Sequence, residues 1–194
     1  MRIGILGGSF DPVHNGHIDM AEYCLNFCGL DKVMFLPLGD PPHKENITCK
    51  EHRIEMLKTA IEYYDKFFID LSEVERSGKT YTYDTISRFL RDYDDEFYYI
   101  IGGDTIKTLH KWYRADELFK IIKFIVVSRP GYEFGEEKKS LILRGAQLIF
   151  TEYTGLDISS TDIKKKIQNG EDISNLVPKG VCDLIVKNGL YKNC

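Results

Sequence analysis

Two short stretches of this chain combine the residue types that hold phosphate. The first, Gly7-Gly8-Ser9-Phe10-Asp11-Pro12-Val13-His14-Asn15-Gly16-His17, follows at once on the apolar run Ile3 to Leu6 and leads into a helical pattern that begins near Gly16. Glycines let a backbone lie against a phosphate, and a helix start adds N–H groups and partial positive charge. Two histidines three residues apart on a helix face the same way and can donate to one anion. Gly8, Ser9 and Phe10 then supply cradle backbone, while His14 and His17 supply imidazole donors. A tight turn with two incidental surface histidines is the plain alternative. The second stretch, Ile158-Ser159-Ser160-Thr161-Asp162-Ile163-Lys164, opens a helix with hydroxyls. With Ser159 or Ser160 as the cap, the N–H groups that follow and the Thr161 hydroxyl are free to hold an anion, and Lys164 stands one turn in as a point charge. A capping box of Ser159 with Asp162 would use the same residues for structure alone.

Other candidates divide on spacing. A dinucleotide fingerprint needs G-x-G-x-x-G and an acid closing the second strand. Here Gly4, Gly7 and Gly8 are spaced otherwise, and the second apolar run ends in Leu36-Pro37-Leu38. Ser77-Gly78-Lys79-Thr80 has the letters of a P-loop tail, but Glu73 stands where the leading glycine belongs, so it reads as a decoy loop. Lys44 follows Pro41 and Pro42, which stiffen its loop, so it reads as a phosphate-facing ammonium or as a plain solvated lysine. Trp112, the single tryptophan, stands beside Tyr113 and offers a stacking face worth about 1 kcal/mol to a flat cationic ring, or else it packs between helices. Asp104, after Gly102 and Gly103, suits ribose hydroxyls and equally a helix N-cap. Cys24 and Cys28 lie four apart with no second pair at zinc spacing and read as core thiols. His52 and Arg53 read as helix-start residues without chemistry, and His110 has no assigned role.

These residues need a scaffold that gathers distant loops. Arg2 to Gly7, Lys32 to Pro37, Phe67 to Leu71, Phe97 to Gly102, Lys123 to Ser128 and Gln147 to Thr151 read as strands, several without two-residue alternation, as expected where both faces of a parallel sheet are covered. Between them, Ile18, Ala21, Leu25 and Cys28, and then Ile54, Leu57, Ile61 and Tyr64, repeat at helical steps, the stripe of a crossover helix. Further helices are expected over Tyr83 to Tyr93, Thr105 to Leu109, Arg114 to Lys120, Ser160 to Asn169 and Lys179 to Lys187, the last two ended by Asn-Gly. The pattern predicts the α/β class, a Rossmann-like doubly wound parallel sheet, with a short helical C-terminal subregion. Ligands in such sheets bind beyond the carboxyl ends of the strands, where three of four polar loops (Gly8 to Asn15, Gly39 to Lys50, Glu75 to Thr80, Arg129 to Gly135) belong.

Composition narrows the partners. A chain of 194 residues, 43% apolar and 29% charged, can bury a core and is neither disordered nor a coiled coil. With 26 basic against 30 acidic side chains, net charge −4, it has no global positive field for nucleic acid or an anionic membrane, so neither is an expected partner. Five scattered cysteines suit reduced thiols in a cytoplasmic protein, and Ile3 to Leu6 is too short for a signal peptide or membrane span. A homo-oligomer stays open, since spacing does not separate an exposed patch from a buried stripe.

The segment Gly8 to His17 resembles the G-x-F-D-P-x-H-x-G-H signature of the nucleotidyltransferase α/β-phosphodiesterase superfamily, and Ile158 to Lys164 is similar to its I-S-S-T-x-I-R/K element. The two stand about 140 residues apart in the expected order. Pro41-Pro42-His43-Lys44, Tyr81-Thr82-Tyr83-Asp84-Thr85, and Ile101-Gly102-Gly103-Asp104 with Lys111-Trp112-Tyr113 resemble segments of bacterial nicotinate mononucleotide adenylyltransferases, and the likeness runs on through Arg129-Pro130-Gly131 to Asn188-Gly189-Leu190-Tyr191. The resemblance implies one nucleotidyltransferase domain over 1–194, with an ATP and acceptor core over about 1–155 and a C-terminal helical region over about 156–194. It implies transfer of AMP from ATP to nicotinate mononucleotide, giving nicotinate adenine dinucleotide and pyrophosphate in NAD biosynthesis, with Mg²⁺ arriving on ATP. The acceptor phosphate is itself the nucleophile, so in-line attack needs no covalent intermediate, and catalysis is alignment and charge stabilisation.

Carried over, His14, His17, Lys44 and Lys164 act on phosphates. Gly8, Ser9, Phe10, His17, Gly102, Asp104, Ser159, Ser160, Thr161 and Lys164 meet ATP. Ser9, Lys44, Thr82, Trp112 and Tyr113 meet the acceptor, the Trp-Tyr pair holding its pyridine ring and Thr82 its carboxylate. Lys164 replaces the Arg of many relatives, giving up bidentate phosphate contact, and Lys165 and Lys166 beside it compete for the role. Rival readings keep the site but change the acceptor to nicotinamide mononucleotide, phosphopantetheine or a sugar or polyol phosphate, or keep nucleotide binding without turnover as a regulator. An RNA-handling protein would need a basic face that is missing here.

Overall fold

The computed structural model describes residues 1–39, 47–128, 131 and 134–192. Six strands, β1 (Arg2–Gly8), β2 (Lys32–Pro37), β3 (Phe67–Ile69), β4 (Glu96–Gly102), β5 (Lys123–Ser128) and β6 (Gln147–Glu152), form one sheet in the order β3-β2-β1-β4-β5-β6. Every pairing is parallel. The chain therefore starts at the centre, winds outward through β2 and β3, crosses back to β4 and winds out the other way. Order reverses between β1 and β4, and that switch point is where such sheets bind ligands.

The helices are α1 (Asn15–Phe27), α2 (Lys50–Ile61), α3 (Ser72–Glu75), α4 (Thr82–Asp92), α5 (Ile106–Leu109), α6 (Ala115–Ile121), α7 (Gly135–Leu143), α8 (Ser160–Gln168) and α9 (Lys179–Lys187). On β2, Val33 and Phe35 point into one apolar layer and Met34 and Leu36 into the other; on β4, Tyr98 and Ile100 oppose Phe97, Tyr99 and Ile101. Both faces being covered is why these runs lack polar alternation. Ile163 of α8, Val181 and Ile185 of α9, and Tyr191 share a buried cluster with Met56 and Leu57 of α2, so the C-terminal helices pack into the core beside the first motif.

Several local expectations are corrected. In α1 the buried stripe is Ile18, Ala21 and Cys24, while Leu25 and Cys28 sit half-buried at its edge, so Cys24 is the core thiol. In α2, Leu57 and Ile61 are inside as expected, but the stripe begins at Arg53 rather than Ile54, which is half-buried. β3 stops at Ile69 because the Asp70 carboxylate accepts the Ser72 N–H at 2.9 Å and turns the chain into α3. Neither α3 nor α7 was legible; α7 buries Leu141 alone and leaves Ile142 and Leu143 exposed, so its stripe is one residue wide. The helix expected from Thr105 is a 3-10 turn over Gly103–Thr105 followed by α5. Gly102 holds the N-cap position there, and Asp104 points into solvent 3.8 Å from Lys107, so Asp104 is no cap. The Ser77 to Thr80 loop joins α3 to α4 and follows no strand, as a decoy P-loop should.

Two glycines are demanded by close approach. A Cβ on Gly7 would lie 2.1 Å from the Tyr99 hydroxyl, and one on Gly39 2.1 Å from the Glu73 carbonyl oxygen. Gly7 thus lets the end of β1 lie against a β4 side chain, and Gly39 lets the chain past β2 lie against the backbone of α3.

Candidate active site

Beyond β1 the chain turns at Phe10, whose φ of +47° is a left-handed conformation that a bulky residue holds only when its surroundings dictate it. The ring dictates it here: 1% exposed, it lies under Gly8, 5.6 Å from the Phe35 ring and edge-on to His17 at 5.0 Å. Phe10 thus offers backbone to the cradle while its side chain belongs to the core. After a cis Asp11–Pro12 peptide, His14 occupies the N-cap of α1. Its backbone N–H donates to Nδ1 of His17 at 3.2 Å, and the two rings stack with centroids 3.7 Å apart. An accepting Nδ1 puts the proton of neutral His17 on Nε2, so the ring is set as an Nε2–H donor.

His14 is buried, its Nδ1 has no hydrogen-bond partner among the described residues, and burial pulls its pKa down to about 4. It is neutral at pH 7. The unfolded chain takes up this proton below about pH 6.5 and the native state only near 4, so this contribution is fully present above pH 6.5 and is lost as pH falls through the window. We expect about 3 kcal/mol of stability to disappear between those limits. Urea unfolding across pH 4–7 checks it: His14→Asn, which keeps an N-cap side chain, should lack that fall, and an unchanged pH profile would remove His14 as its source.

The second motif meets the first. Ser159 caps α8, accepting the Asp162 N–H at 3.1 Å and donating to its carboxylate at 2.7 Å. Of the two serines it is therefore the one that caps the helix. Ser160 donates instead to the Pro12 carbonyl at 2.9 Å, which places the α8 N-terminus against the cradle loop, with Thr161 exposed in the first turn. The Lys164 ammonium donates to Asp11 and lies 5.0 Å from the centre of the Tyr191 ring. Lys164 is therefore not a bare point charge: Asp11 opposes it. Lys165 pairs with Asp162 at 3.8 Å and Lys166 with Glu171 at 2.6 Å, so of the three lysines Lys164 is the one at the first motif.

Asp11 is a hub that spacing did not reveal. It is 3% exposed and also accepts from the Tyr191 hydroxyl at 2.8 Å and the Thr48 N–H at 3.3 Å. Burial alone would raise its carboxyl, but Lys164, Thr48 and Tyr191 together hold it below the ordinary aspartate value. Arg53 is the second missed residue. Its guanidinium, 1% exposed, donates to the carbonyls of Ser9 at 2.8 Å, Leu38 at 3.0 Å and Thr48 at 3.0 Å. An arginine in register with Met56, Leu57 and Ala60 was the available signal.

The aromatic segment assembles beside α4. Tyr81 is the N-cap and Thr82 the first residue of α4, so Thr82 stands at an N-terminus whose leading N–H groups have no intrahelical partner by geometry. Trp112 is half-buried, edge-on to Tyr99 at 5.7 Å; Tyr113 lies 4.4 Å from Tyr81 and 6.5 Å from Tyr83. Tyr99 links this cluster to the cradle, because its hydroxyl lies against Gly7 and bonds Thr82. Burial pushes that phenol well up, with Glu73 adding to the shift. Glu73 is itself buried, raised by desolvation and opposed by the Thr85 hydroxyl, which donates to it at 2.7 Å. Gly102 borders open space at the end of β4. Lys44, with Pro41 to His43, lies outside the described residues, as do Arg129 and Pro130.

Comparison with known proteins shows the family and the fold. The cytidylyltransferase-like family model matches residues 5–166. The chain is 43% identical over 195 residues to a probable nicotinate-nucleotide adenylyltransferase of Clostridium tetani, covering 97% of this chain and 98% of that one. It is 40% identical to the nicotinate-nucleotide adenylyltransferase of Bacillus subtilis, covering 99% of each. Among solved structures it superposes on the Plasmodium falciparum nicotinic acid mononucleotide adenylyltransferase complexed with NaAD with a TM-score of 0.81 at 24% identity, covering 98% and 97% of the two chains, a likeness of fold. The chain belongs to the nicotinate-nucleotide adenylyltransferase family.

Proposed function

We infer that this chain transfers the adenylyl group of ATP to nicotinate mononucleotide, releasing pyrophosphate and nicotinate adenine dinucleotide for NAD biosynthesis. The observation that carries the reading is the docking of the α8 N-terminus onto the cradle loop through Ser160 and Pro12, which puts two anion-binding backbones at one end of the sheet. Two polyanions brought together there need alignment and charge compensation, and no protein nucleophile. The His17 Nε2–H donates to the phosphates as charge develops, with His14 stacked behind it. Thr161 and the first turn of α8 hold the leaving pyrophosphate, Lys164 supplies charge beside them, and Lys44 steadies the acceptor phosphate. Gly8, Ser9 and Phe10 line the cradle, and Gly102 and Asp104 border the ribose.

Magnesium enters as part of the substrate. The donors gathered here are imidazoles, hydroxyls, N–H groups and an ammonium, and Asp11, a buried carboxylate beside them, is engaged by Lys164 and Tyr191. That set suits phosphate oxygens, and Mg²⁺ on ATP would lessen charge repulsion and leaving-group charge. The acceptor's pyridine ring is placed against Trp112 and Tyr113, with its carboxylate at the N-terminus of α4 near Thr82, where a negative charge is favoured. A single nucleotidyltransferase unit acting in the cytoplasm is the setting this reading assumes. Cys24, Cys28, Cys49 and Cys182 are unbonded, and no helix among the described residues is long and apolar enough to cross a membrane.

A pyrophosphate-release assay with MgATP and, in parallel, nicotinate mononucleotide, nicotinamide mononucleotide and phosphopantetheine tests the reading, with the product identified by mass. Fast turnover on nicotinate mononucleotide is expected; turnover on phosphopantetheine alone would discard the aromatic pocket, and ATP binding without release from any acceptor would leave a regulator. Trp112→Ala should raise KM for nicotinate mononucleotide about fivefold, the loss of roughly 1 kcal/mol of stacking, and leave KM for ATP unchanged. Equal changes in both constants would return Trp112 to plain packing.

A further inference from the structure

Arg53 brings a guanidinium into the interior, and among the described residues its hydrogen-bond partners are all backbone carbonyls. A methionine or leucine would fill this position in the α2 stripe without loss of hydration, so packing alone does not account for an arginine. What distinguishes it is which carbonyls it takes: Ser9 in the cradle, Leu38 and, at 3.5 Å, Gly39 just past β2, and Thr48 just before α2. Leu38 and Gly39 on one side and Thr48 on the other are the two stems of segment 40–46, which includes Lys44. One planar cation therefore ties three stretches of chain together through four carbonyls in directions fixed by its plane, whereas an ammonium has only three N–H donors and no fixed fork.

The Ser9 contact also sets a direction. The Ser9–Phe10 peptide is trans, and in a trans peptide the carbonyl and the following N–H point opposite ways. With the Ser9 carbonyl drawn toward the buried guanidinium, the Phe10 N–H points away from it, and the left-handed turn at Phe10 is anchored from its amino side as its ring anchors it from the core.

We propose that Arg53 is a positioning residue for adenylyl transfer: by holding the Ser9 carbonyl together with those of Leu38, Gly39 and Thr48, its guanidinium aims the Phe10 N–H at the bound phosphate and fixes the cradle against the end of β2 and the start of α2. This rests on the adenylyl-transfer reading above. Arg53 touches no reacting atom itself.

The test compares the whole protein with Arg53→Lys, which keeps the charge but not the fork, and Arg53→Met, which keeps the volume alone. Three quantities are measured: kcat and KM for MgATP and nicotinate mononucleotide, the folded fraction by circular dichroism, and calorimetric affinity for a non-hydrolysable ATP analogue. Arg53→Lys should remain folded, lose about 10²-fold in kcat as expected for a sub-ångström to 1 Å misalignment, and change either KM less than about threefold. Arg53→Met should recover nothing relative to the lysine variant. A kcat within about threefold of the parent, or a loss that only tracks the fall in folded protein in both variants, overturns the proposal. If the parent itself does not turn over nicotinate mononucleotide, the functional reading fails separately. Analogue binding then decides: a tenfold or greater weakening in Arg53→Lys keeps Arg53 as the brace of the phosphate cradle, and equal binding removes it.

Discussion

His17→Ala should lower kcat for pyrophosphate release by about 10²- to 10³-fold, the size of effect seen when one preorganised donor to a developing charge is removed. The expectation follows from how the ring is held. Its Nδ1 accepts the His14 backbone N–H at 3.2 Å, which fixes the Nε2–H tautomer; the Phe10 ring stands edge-on at 5.0 Å and the His14 ring stacks at 3.7 Å. A donor whose orientation is already settled needs no reorganisation at the transition state. Removing it also orphans the His14 N–H, which costs about 1 kcal/mol of stability. His17→Gln separates the two roles, because a glutamine three residues after an N-cap can accept that N–H and so restore the helix start. The glutamine variant should regain the lost stability and still lack most of the rate. Steady-state kinetics beside urea unfolding for both variants gives the answer, and a drop in kcat below threefold for His17→Ala would take His17 out of the mechanism.

The sheet was legible because its signal is redundant. Six apolar runs, each bounded by Gly, Pro or polar loops and separated by helical stripes, leave little room for another α/β order, and β2 and β5 begin and end where their residues change character. Helices with one buried residue, such as α7, carry no stripe to read. The histidine pair and the Ser-Ser-Thr turn were legible as anion-binding chemistry because glycine, hydroxyl and imidazole at a helix start have few other uses in combination. What could not be read was the partner each side chain chose. Ser159 and Ser160 are adjacent and chemically alike, and only the path of the chain decides that Ser159 turns back on Asp162 while Ser160 reaches Pro12. Arg53 sits in an ordinary charged helix start by sequence, and its meaning lies in carbonyls more than forty residues away at Ser9 as well as nearby at Leu38 and Thr48. Asp11 was hidden within a motif whose other letters already had roles.

Asp11→Ala should cost about 3 kcal/mol of folding stability, at the low end for breaking a buried ion pair because Lys164 keeps part of its hydration. The loss is more than one contact. Asp11 accepts from Lys164, from the Tyr191 hydroxyl at 2.8 Å and from the Thr48 N–H at 3.3 Å, and without it a half-buried ammonium and a buried phenol are left facing each other. Tyr191→Phe removes only one of those bonds and should cost about 1 kcal/mol. Asp11→Ala combined with Lys164→Ala should cost less than the two single changes added together, since the stranded charge is gone. The pH dependence gives an independent reading. The folded carboxyl lies below its ordinary value of 3.8, so its contribution is fully present above that pH and is lost as pH falls through the lower, folded value. Acid unfolding of the parent should therefore steepen below about pH 4 in a way that Asp11→Asn does not share. Additive single and double changes, or identical acid limbs for parent and Asp11→Asn, would show that α8 and Tyr191 are held to the first motif by packing, with the carboxylate incidental. Coupling of the expected sign would show that Asp11 and Lys164, more than 150 residues apart in the chain, hold the second motif to the first together with the Ser160–Pro12 contact.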